Sequence, residues 1–420
     1  MLRKKNSESK EKHEIINHDY ILSQENVNMG HQPELDYIKA LCILLIVTQH
    51  IYENFSYDSY YMIIYILSCT ITPATTLMLL MGIGMKYTRH REIKNYIARG
   101  FTLLTMAQYL YLISFTLPNL FVWWATGNKV NLSRALLILQ TDILTFAGFS
   151  FLFLALMKTL KLSDNFILII SVLMNITASF LRKIIKSTNN YILNIFLGYF
   201  VLTDAEAYFP FCGYFIFAAL GYWIGGIYQR ISNKDKFYNL ILIFCLPTVI
   251  IFHYFGFFDK IQNLLQLTLL ECFCLMPIPF AIVFCMCTFI YLAIFYKIDK
   301  MLKGKTPRFI THLGKNLNQY YFISYVITMQ TTIFLKSFGG EKYPSEMKCS
   351  TLFSLIIIFF SRFLIDMNDK YIHFTIITLK NHLRNYVFAF IWIMTIICFI
   401  YIYPKVEVYA NIFTNYLNEE

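Results

Sequence analysis

A lysine and a histidine are separated by ten residues in the apolar segment LDYIKALCILLIVTQH, which runs from Leu35 to His50. Lys39 offers a positive charge that can bind an anion, and the imidazole of His50 can exchange a proton near neutral pH. Just over three helical turns separate them, so both side chains lie on nearly the same helix face, about 16 Å apart along the axis. Ionisable groups in such a segment usually face a cavity, a partner or a reacting substrate. We therefore expect His50 to be a catalytic residue.

Glu53 follows His50 by three residues and lies on a neighbouring part of the same helix surface. A carboxylate in that position can orient the imidazole or share its proton, so the two residues form a candidate general-base dyad. Two simpler readings stay open. His50 could only hydrogen-bond between helices, and Glu53 could be a solvated residue near the helix end.

Two further charged residues, Asp142 and Arg362, fall inside apolar segments, where an unpaired charge is unfavourable. Asp142 is expected about two turns into the segment 134–158, where it needs a cation, hydrogen-bond donors or water. It could line a substrate cavity or pair with Arg362. The favoured alternative is that Arg362 pairs with Asp366, four residues later on the same helix.

Polar side chains cluster at the start of the segment 317–336, where Asn316 and Asn318 precede Tyr320 and Tyr321. Such groups can line a polar pocket, and we predict that Tyr320 binds substrate together with Asp142. Anchoring of the helix at the membrane surface is the commoner role for tyrosines in this position.

The composition excludes a soluble globular protein. Hydrophobic residues make up 57% of the 420 positions, only 15% are charged, and the mean hydropathy is +0.52. The net charge of +11 does not indicate nucleic-acid binding, because the cations fall in short loops and in the first dozen residues. The sequence predicts a polytopic membrane protein.

Apolar runs of about 20 residues predict an all-α integral membrane bundle with about 11 transmembrane helices. We expect a cytoplasmic N-terminal tail over residues 1–33, a transmembrane domain over 34–405 and a C-terminal tail over 406–420. The expected spans are 35–54, 62–85, 100–121, 134–158, 164–182, 208–228, 237–257, 277–297, 317–336, 349–367 and 385–403.

The positive-inside rule sets the expected orientation. A cytoplasmic N-terminus places the basic loop that contains Arg89, Arg91 and Arg99 inside, and three later basic loops agree. This alternation of inside and outside loops requires that residues 191–203 do not cross the membrane. They are therefore predicted to form an interfacial or re-entrant helix. The heavy use of Ile, Asn, Lys and Tyr is associated with AT-rich genomes, and the expected location is a bacterial cell membrane.

Several reaction signatures are missing from the sequence. It contains no GxxxxGK[ST] phosphate loop, no HExxH, no GxSxG and no CxxC pair, which argues against an ATP-driven pump or a zinc peptidase. The ten cysteines lie in or beside apolar segments and are expected to be buried thiols. Neither a metal site nor a disulfide framework is predicted.

The segment LDYIKALCILLIVTQH resembles the first span of the membrane acyltransferases of family three, whose signature is a basic residue, ten intervening residues and a histidine. Four later segments, LMLLMGIGMKYTRH, IARGFTLL, FPFCGYFIFAALGYWIGG and LGKNLNQYYFISYVI, resemble later parts of the same family. One position differs. The basic residue is usually arginine, and Lys39 keeps its charge without the bidentate recognition of phosphate.

The resemblance implies acyl transfer, commonly of an acetyl group from acetyl-CoA, to a hydroxyl or amine of an acceptor at or beyond the outer face. O-acetylation of a cell-surface polysaccharide is one such reaction. Because coenzyme A is anionic, a basic rim of Lys39, Arg89, Arg91 and Arg99 is expected to bind its phosphates. His50 would be the general base and Glu53 would orient it. For the three arginines the topology signal alone is a sufficient alternative.

Two rival functions stay open. A secondary transporter or flippase could use His50, Asp142 and Arg362 as a proton relay, although no internal repeat supports it. A non-catalytic sensor on the acyltransferase scaffold is the other rival, because Lys39 replaces the usual arginine. Covalent labelling of an acceptor from acyl-CoA distinguishes the enzyme from both.

Overall fold

The computed structural model describes residues 20–55, 72–88, 92–136, 141–184, 191–201, 209–257, 259–260, 263, 276–338, 347–372 and 381–406. Within these ranges the regular structure is helical, apart from isolated bridge residues such as the antiparallel pair Leu22 and Ile231. The helices are α1 (Pro33–Phe55), α2 (Pro73–Tyr87), α3 (Ile93–Thr126), α4 (Lys129–Arg134), α5 (Ile143–Thr159), α6 (Asp164–Ile184), α7 (Tyr191–Phe200), α8 (Phe211–Tyr228), α9 (Lys234–Tyr254), α10 (Ile278–Met301), α11 (Arg308–Lys315), α12 (Leu317–Phe338), α13 (Met347–Met367) and α14 (Asn381–Val406).

Seven helices in the described ranges are long and apolar enough to cross a membrane. They are α1, α3, α6, α8, α9, α10 and α14. This confirms an all-α, multi-pass membrane protein. Helices α12 and α13 reach 22 and 21 residues but are not among the seven. The predicted count of about 11 spans therefore stays a prediction.

Helix α1, which carries Lys39, His50 and Glu53, lies at the centre of the bundle. Most of its side chains are buried, and it packs against α2, α10, α11, α12 and α13. Lys39 and His50 are half-buried among these neighbours, which explains how an apolar helix can carry them, whereas Glu53 is exposed near the end of α1.

Glycines allow α2 and α8 to pack closely against each other. A Cβ atom on Gly82 would collide with the carbonyl oxygen of Ala218, and one on Gly221 would collide with that of Leu79. Small residues let helix backbones approach in membranes, where dispersion contacts rather than hydrophobic burial hold helices together. Packing is thus the role of these two glycines.

Two elements depart from straight spans. A π-helical turn, Leu112–Thr116, interrupts α3 just before Pro118, a residue that has no N–H to donate to the preceding turn. The predicted span 134–158 does not begin at 134, because Asp142 adopts an extended conformation and caps a helix that begins at Ile143. Residues 137–140, within that predicted span, lie outside the described ranges.

Helix α7 has ten residues and would rise about 15 Å, too short to cross a bilayer. The prediction that this stretch does not span the membrane agrees with its length.

The described part of the N-terminal tail, residues 20–32, lies against the end of α8. Besides the bridge to Ile231, the Ser23 amide donates to the Arg230 carbonyl at 2.7 Å, and the Asn28 amide donates to that of Gln229 at 2.8 Å. This segment is therefore attached to the bundle close to the start of α1.

Candidate active site

A cavity of about 580 Å³ opens among α1, α2, α3, α5 and the start of α12. Most of its wall is apolar and includes three methionines of α2, which are flexible side chains that adapt to irregular shapes. Its polar and charged lining residues are Lys39, Thr88, Asn95, Tyr96, Arg99, Asn318 and Tyr321. A mainly apolar pocket with a few polar groups is typical of sites that bind small molecules.

Lys39 and Arg99 bring two positive charges to this cavity from different helices. The Lys39 ammonium lies 3.7 Å from the Asp36 carboxylate, and the Lys39 side chain is about one-third exposed. Arg99 is exposed on α3. The structure therefore brings together two of the four residues predicted to bind the donor, whereas Arg89 and Arg91 lie outside the described ranges.

His50 and Glu53 are close enough to interact, with His50 Nδ1 3.4 Å from Glu53 Oε2. The Gln49 side-chain amide donates to the other Glu53 oxygen at 2.8 Å, which fixes the carboxylate against the ring. The His50 side chain is 29% exposed and that of Glu53 is 40% exposed, so both can be reached from outside the packed helices. This geometry is suited to a base whose ring is oriented by a carboxylate.

The imidazole does not line the 580 Å³ cavity, and two tyrosines of α12 lie between them. Tyr321 lines the cavity, and its ring stacks on that of Tyr325 with centroids 5.7 Å apart. The rings of Tyr325 and His50 are in turn nearly perpendicular, with centroids 5.1 Å apart. A continuous row of aromatic rings therefore joins the cavity to the predicted base.

Asp142 lies beside this row at the start of α5. One carboxylate oxygen accepts from the amide of Thr145 at 2.8 Å and from its hydroxyl at 3.1 Å. The other accepts from the Tyr321 hydroxyl at 3.4 Å. The predicted need for hydrogen-bond donors is met by a helix start and a tyrosine. Asp142 itself is not a cavity-lining residue.

Tyr320, predicted to bind substrate, does not line the cavity. Its buried hydroxyl is 2.8 Å from His312 Nδ1, and the other nitrogen of that ring is 3.1 Å from Asp366. Adjacent helical residues point about 100° apart, so the neighbour Tyr321 takes the place on the cavity wall. Arg362 is 3.5 Å from Asp366, the local pairing that the sequence favoured.

The proton relay required by the transporter hypothesis is not continuous in the described part of the chain. Asp142 contacts Thr145 and Tyr321, whereas Arg362 contacts Asp366 and the face of the Phe309 ring. Asp142 and Arg362 therefore do not contact each other, and the relay would depend on such a contact.

Sequence reasoning overlooked Asp36, Lys158 and the position of Gly84. Lys158 donates to the Tyr96 hydroxyl at 3.1 Å behind the cavity wall, and it lies over the face of that ring. Gly84 faces the cavity, and a Cβ atom added to it would meet nothing within 4 Å. The Asp-x-x-Lys spacing from Asp36 to Lys39 was a readable signal for an ion pair.

A family comparison covers the part of the chain that holds most of these residues. Residues 32–246 match the family model of the heparan-alpha-glucosaminide N-acetyltransferase catalytic domain. The searches of curated proteins and of solved structures gave no match. The matched range includes Lys39, His50, Glu53, Arg99 and Asp142 but ends before α12.

The match covers slightly more than half of the 420 residues. It confirms the general class that the resemblance implied, a membrane acetyltransferase, through a family other than the acyltransferases of family three. The chain therefore belongs to the heparan-alpha-glucosaminide N-acetyltransferase catalytic family and is an acyl-transferring enzyme of the membrane.

Proposed function

We propose that this protein transfers an acetyl or other short acyl group from acyl-CoA to a hydroxyl or amine of an acceptor on the opposite side of the membrane. The observation that carries the proposal is the row of rings from the cavity, with Lys39 and Arg99 in its wall, to the imidazole of His50. It joins a place for an anionic donor to a group that can accept a proton.

The donor would bind with its phosphates near Lys39 and Arg99 and its thioester arm in the apolar part of the cavity. Charge attraction suits the phosphates, and the methionine-rich wall suits the uncharged arm. Arg89 and Arg91 belong to the same proposed rim. The acyl group must then pass Tyr321 and Tyr325 to reach His50, so these side chains control access.

In the proposed reaction, His50 takes the proton of the acceptor hydroxyl or amine as that group attacks the thioester carbonyl. The new bond joins the acceptor to the acyl carbon, the carbon–sulfur bond breaks, and the proton passes to the coenzyme A sulfur. Glu53 orients the ring through its 3.4 Å contact and offsets the charge of the imidazolium. Asp142 orients Tyr321.

The side of each substrate is part of the proposal. The cavity end that carries Lys39 would face the cytoplasm, where coenzyme A is found, and the N-terminus would lie on the same side. The acceptor would be a cell-surface glycan of a bacterium. The family name adds an amino sugar as a candidate acceptor.

The test uses the full-length protein in proteoliposomes with radiolabelled acetyl-CoA on one side. Glucosamine serves as an amine probe and N-acetylglucosamine as a hydroxyl probe, and product formation is followed by mass spectrometry. We expect labelled product from wild type and a loss of about 10²- to 10⁴-fold in kcat for His50→Ala. The matched control is His253→Ala, an exposed histidine on α9.

Retained activity in His50→Ala would show that His50 is not the general base. If neither probe gives acetylated product or causes release of coenzyme A, the proposed acceptor class is wrong. Uptake of a probe without any covalent product would favour a transporter.

A further inference from the structure

Asp36 is a buried carboxylate in the first turn of α1, three residues before Lys39. One of its oxygens lies 3.7 Å from the Lys39 ammonium, and the other lies 2.9 Å from Nε2 of His31. The carboxylate thus connects an exposed imidazole in the N-terminal segment to the cation on the cavity wall.

Helix α11 packs against the backbone of Asp36. A Cβ atom on Gly314 would lie 2.9 Å from the Cα, Cβ and carbonyl oxygen of Asp36, so the two backbones are as close as a glycine permits. The Asp36 side chain is 8% exposed, and charge interactions are stronger where water is excluded. The position of Asp36 is fixed by packing as well as by His31.

Lys39 has a long, flexible side chain that is about one-third exposed. Such a chain tends to extend its ammonium into bulk water, and ordering it when a ligand binds reduces affinity. A fixed carboxylate 3.7 Å away restricts the ammonium to the cavity wall. At that separation the pair is not a short hydrogen bond, so the ammonium keeps N–H donors for a second anion.

We propose that Asp36 is a positioning residue that holds the Lys39 ammonium where the phosphates of the donor bind, with His31 fixing the carboxylate from the other side. This inference rests on the proposed function, since it assigns the phosphates of coenzyme A to Lys39. Asp36 acts on donor affinity and takes no part in the chemical step.

The experiment compares a donor that carries phosphates with one that does not. Equilibrium binding of coenzyme A and of pantetheine is measured on the purified full-length protein, and KM and kcat are measured with acetyl-CoA and with S-acetylpantetheine. For Asp36→Asn we expect coenzyme A affinity to fall, and KM for acetyl-CoA to rise, by about two- to tenfold, which corresponds to ordering one long side chain. The affinity for pantetheine, the KM for S-acetylpantetheine and kcat with either donor are expected to stay unchanged.

Two further variants make the result specific. In a Lys39→Met background, Asp36→Asn is expected to change coenzyme A affinity no further, because the two residues act as a pair. The matched control is Glu34→Gln, which alters another buried carboxylate of α1 that contacts Lys234 and not Lys39. It is expected to leave the ratio of the two affinities unchanged.

Equal losses for coenzyme A and pantetheine, or no loss for either, would overturn the positioning role. If Asp36→Asn does not fold, His31→Gln decides the matter, because His31 is exposed and its loss should shift coenzyme A affinity in the same direction by a smaller factor. Wild type that fails to bind coenzyme A would contradict the proposed donor instead. Coenzyme A binding without acetyl transfer would leave the Asp36 measurement valid and contradict the proposed reaction.

Discussion

Tyr321 and Tyr325 lie one turn apart on α12 and stack with ring centroids 5.7 Å apart. Tyr321 lines the cavity, and the Tyr325 ring forms a T-shaped contact with the His50 ring. The spacing of four residues places both rings on one face of the helix, so a single helix face connects the proposed donor site with the proposed base. A change at either ring should therefore alter how the base meets the donor.

Tyr325→Ala should lower kcat by about 10- to 100-fold, because the His50 ring loses the aromatic surface that fixes it and small misplacements of a catalytic group are costly. Tyr325→Phe keeps the ring and should retain most of the activity. The measurement is kcat with acetyl-CoA at saturating acceptor. A similar loss in both variants would show that the hydroxyl, and not ring packing, is what matters.

Gly84→Leu should raise KM for the donor by about tenfold without loss of stability. The added side chain meets open space and projects into the cavity, where it takes up room for the substrate. Leucine also favours a helix over glycine. Donor KM and the thermal unfolding temperature in detergent are the two measurements.

Gly82→Ala is the matched control for Gly84, since it lies two residues away on the same helix and is tightly packed. Its Cβ would collide with the Ala218 carbonyl oxygen, so we expect about 1–3 kcal/mol of destabilisation with little change in donor KM. If Gly84→Leu behaves like Gly82→Ala, the cavity is not the donor site.

Asp142→Ala should destabilise the protein by about 1 kcal/mol, because the amide at the start of α5 loses its cap. Asp142→Asn should be close to wild type in stability, since asparagine caps a helix about as well as aspartate. Thermal unfolding of the two variants is the comparison. A loss of activity in a stable Asp142→Asn protein would show that the negative charge contributes through Tyr321.

The spacing from Lys39 to His50 and Glu53 was informative because a single helix fixes which residues share a face. The same reasoning gave the Arg362 and Asp366 pair. It could not choose between Tyr320 and Tyr321, because helix periodicity alone does not say which way α12 is turned relative to its neighbours. Tertiary packing decides that, through His312 on one side and the cavity on the other.

Two other features show where the sequence was less informative. The start of α5 at Ile143 was missed because the apolar stretch 135–139 precedes it, although the Asp142 cap is a recognisable signal. The open space at Gly84 was not predictable, since glycine promotes close packing and lines cavities equally well, and only the neighbouring helices distinguish the two.

The buried carboxylate of Glu34 joins the start of α1 to α8 and α9. It accepts hydrogen bonds from the hydroxyls of Tyr228 and Tyr238, and the Lys234 ammonium lies 2.8 Å away. Lys234→Met would leave a buried negative charge without its cation, which is expected to cost about 3–5 kcal/mol. The control, Lys300→Met, breaks an exposed pair with Asp235 at 2.7 Å and should cost at most about 1 kcal/mol.

Unfolding of the Lys234→Met and Lys300→Met proteins in detergent would measure the difference. Equal, small effects would mean that Glu34 is held by the tyrosine hydroxyls alone. A large effect only at Lys234 would establish that the buried ion pair joins the start of α1 to α9.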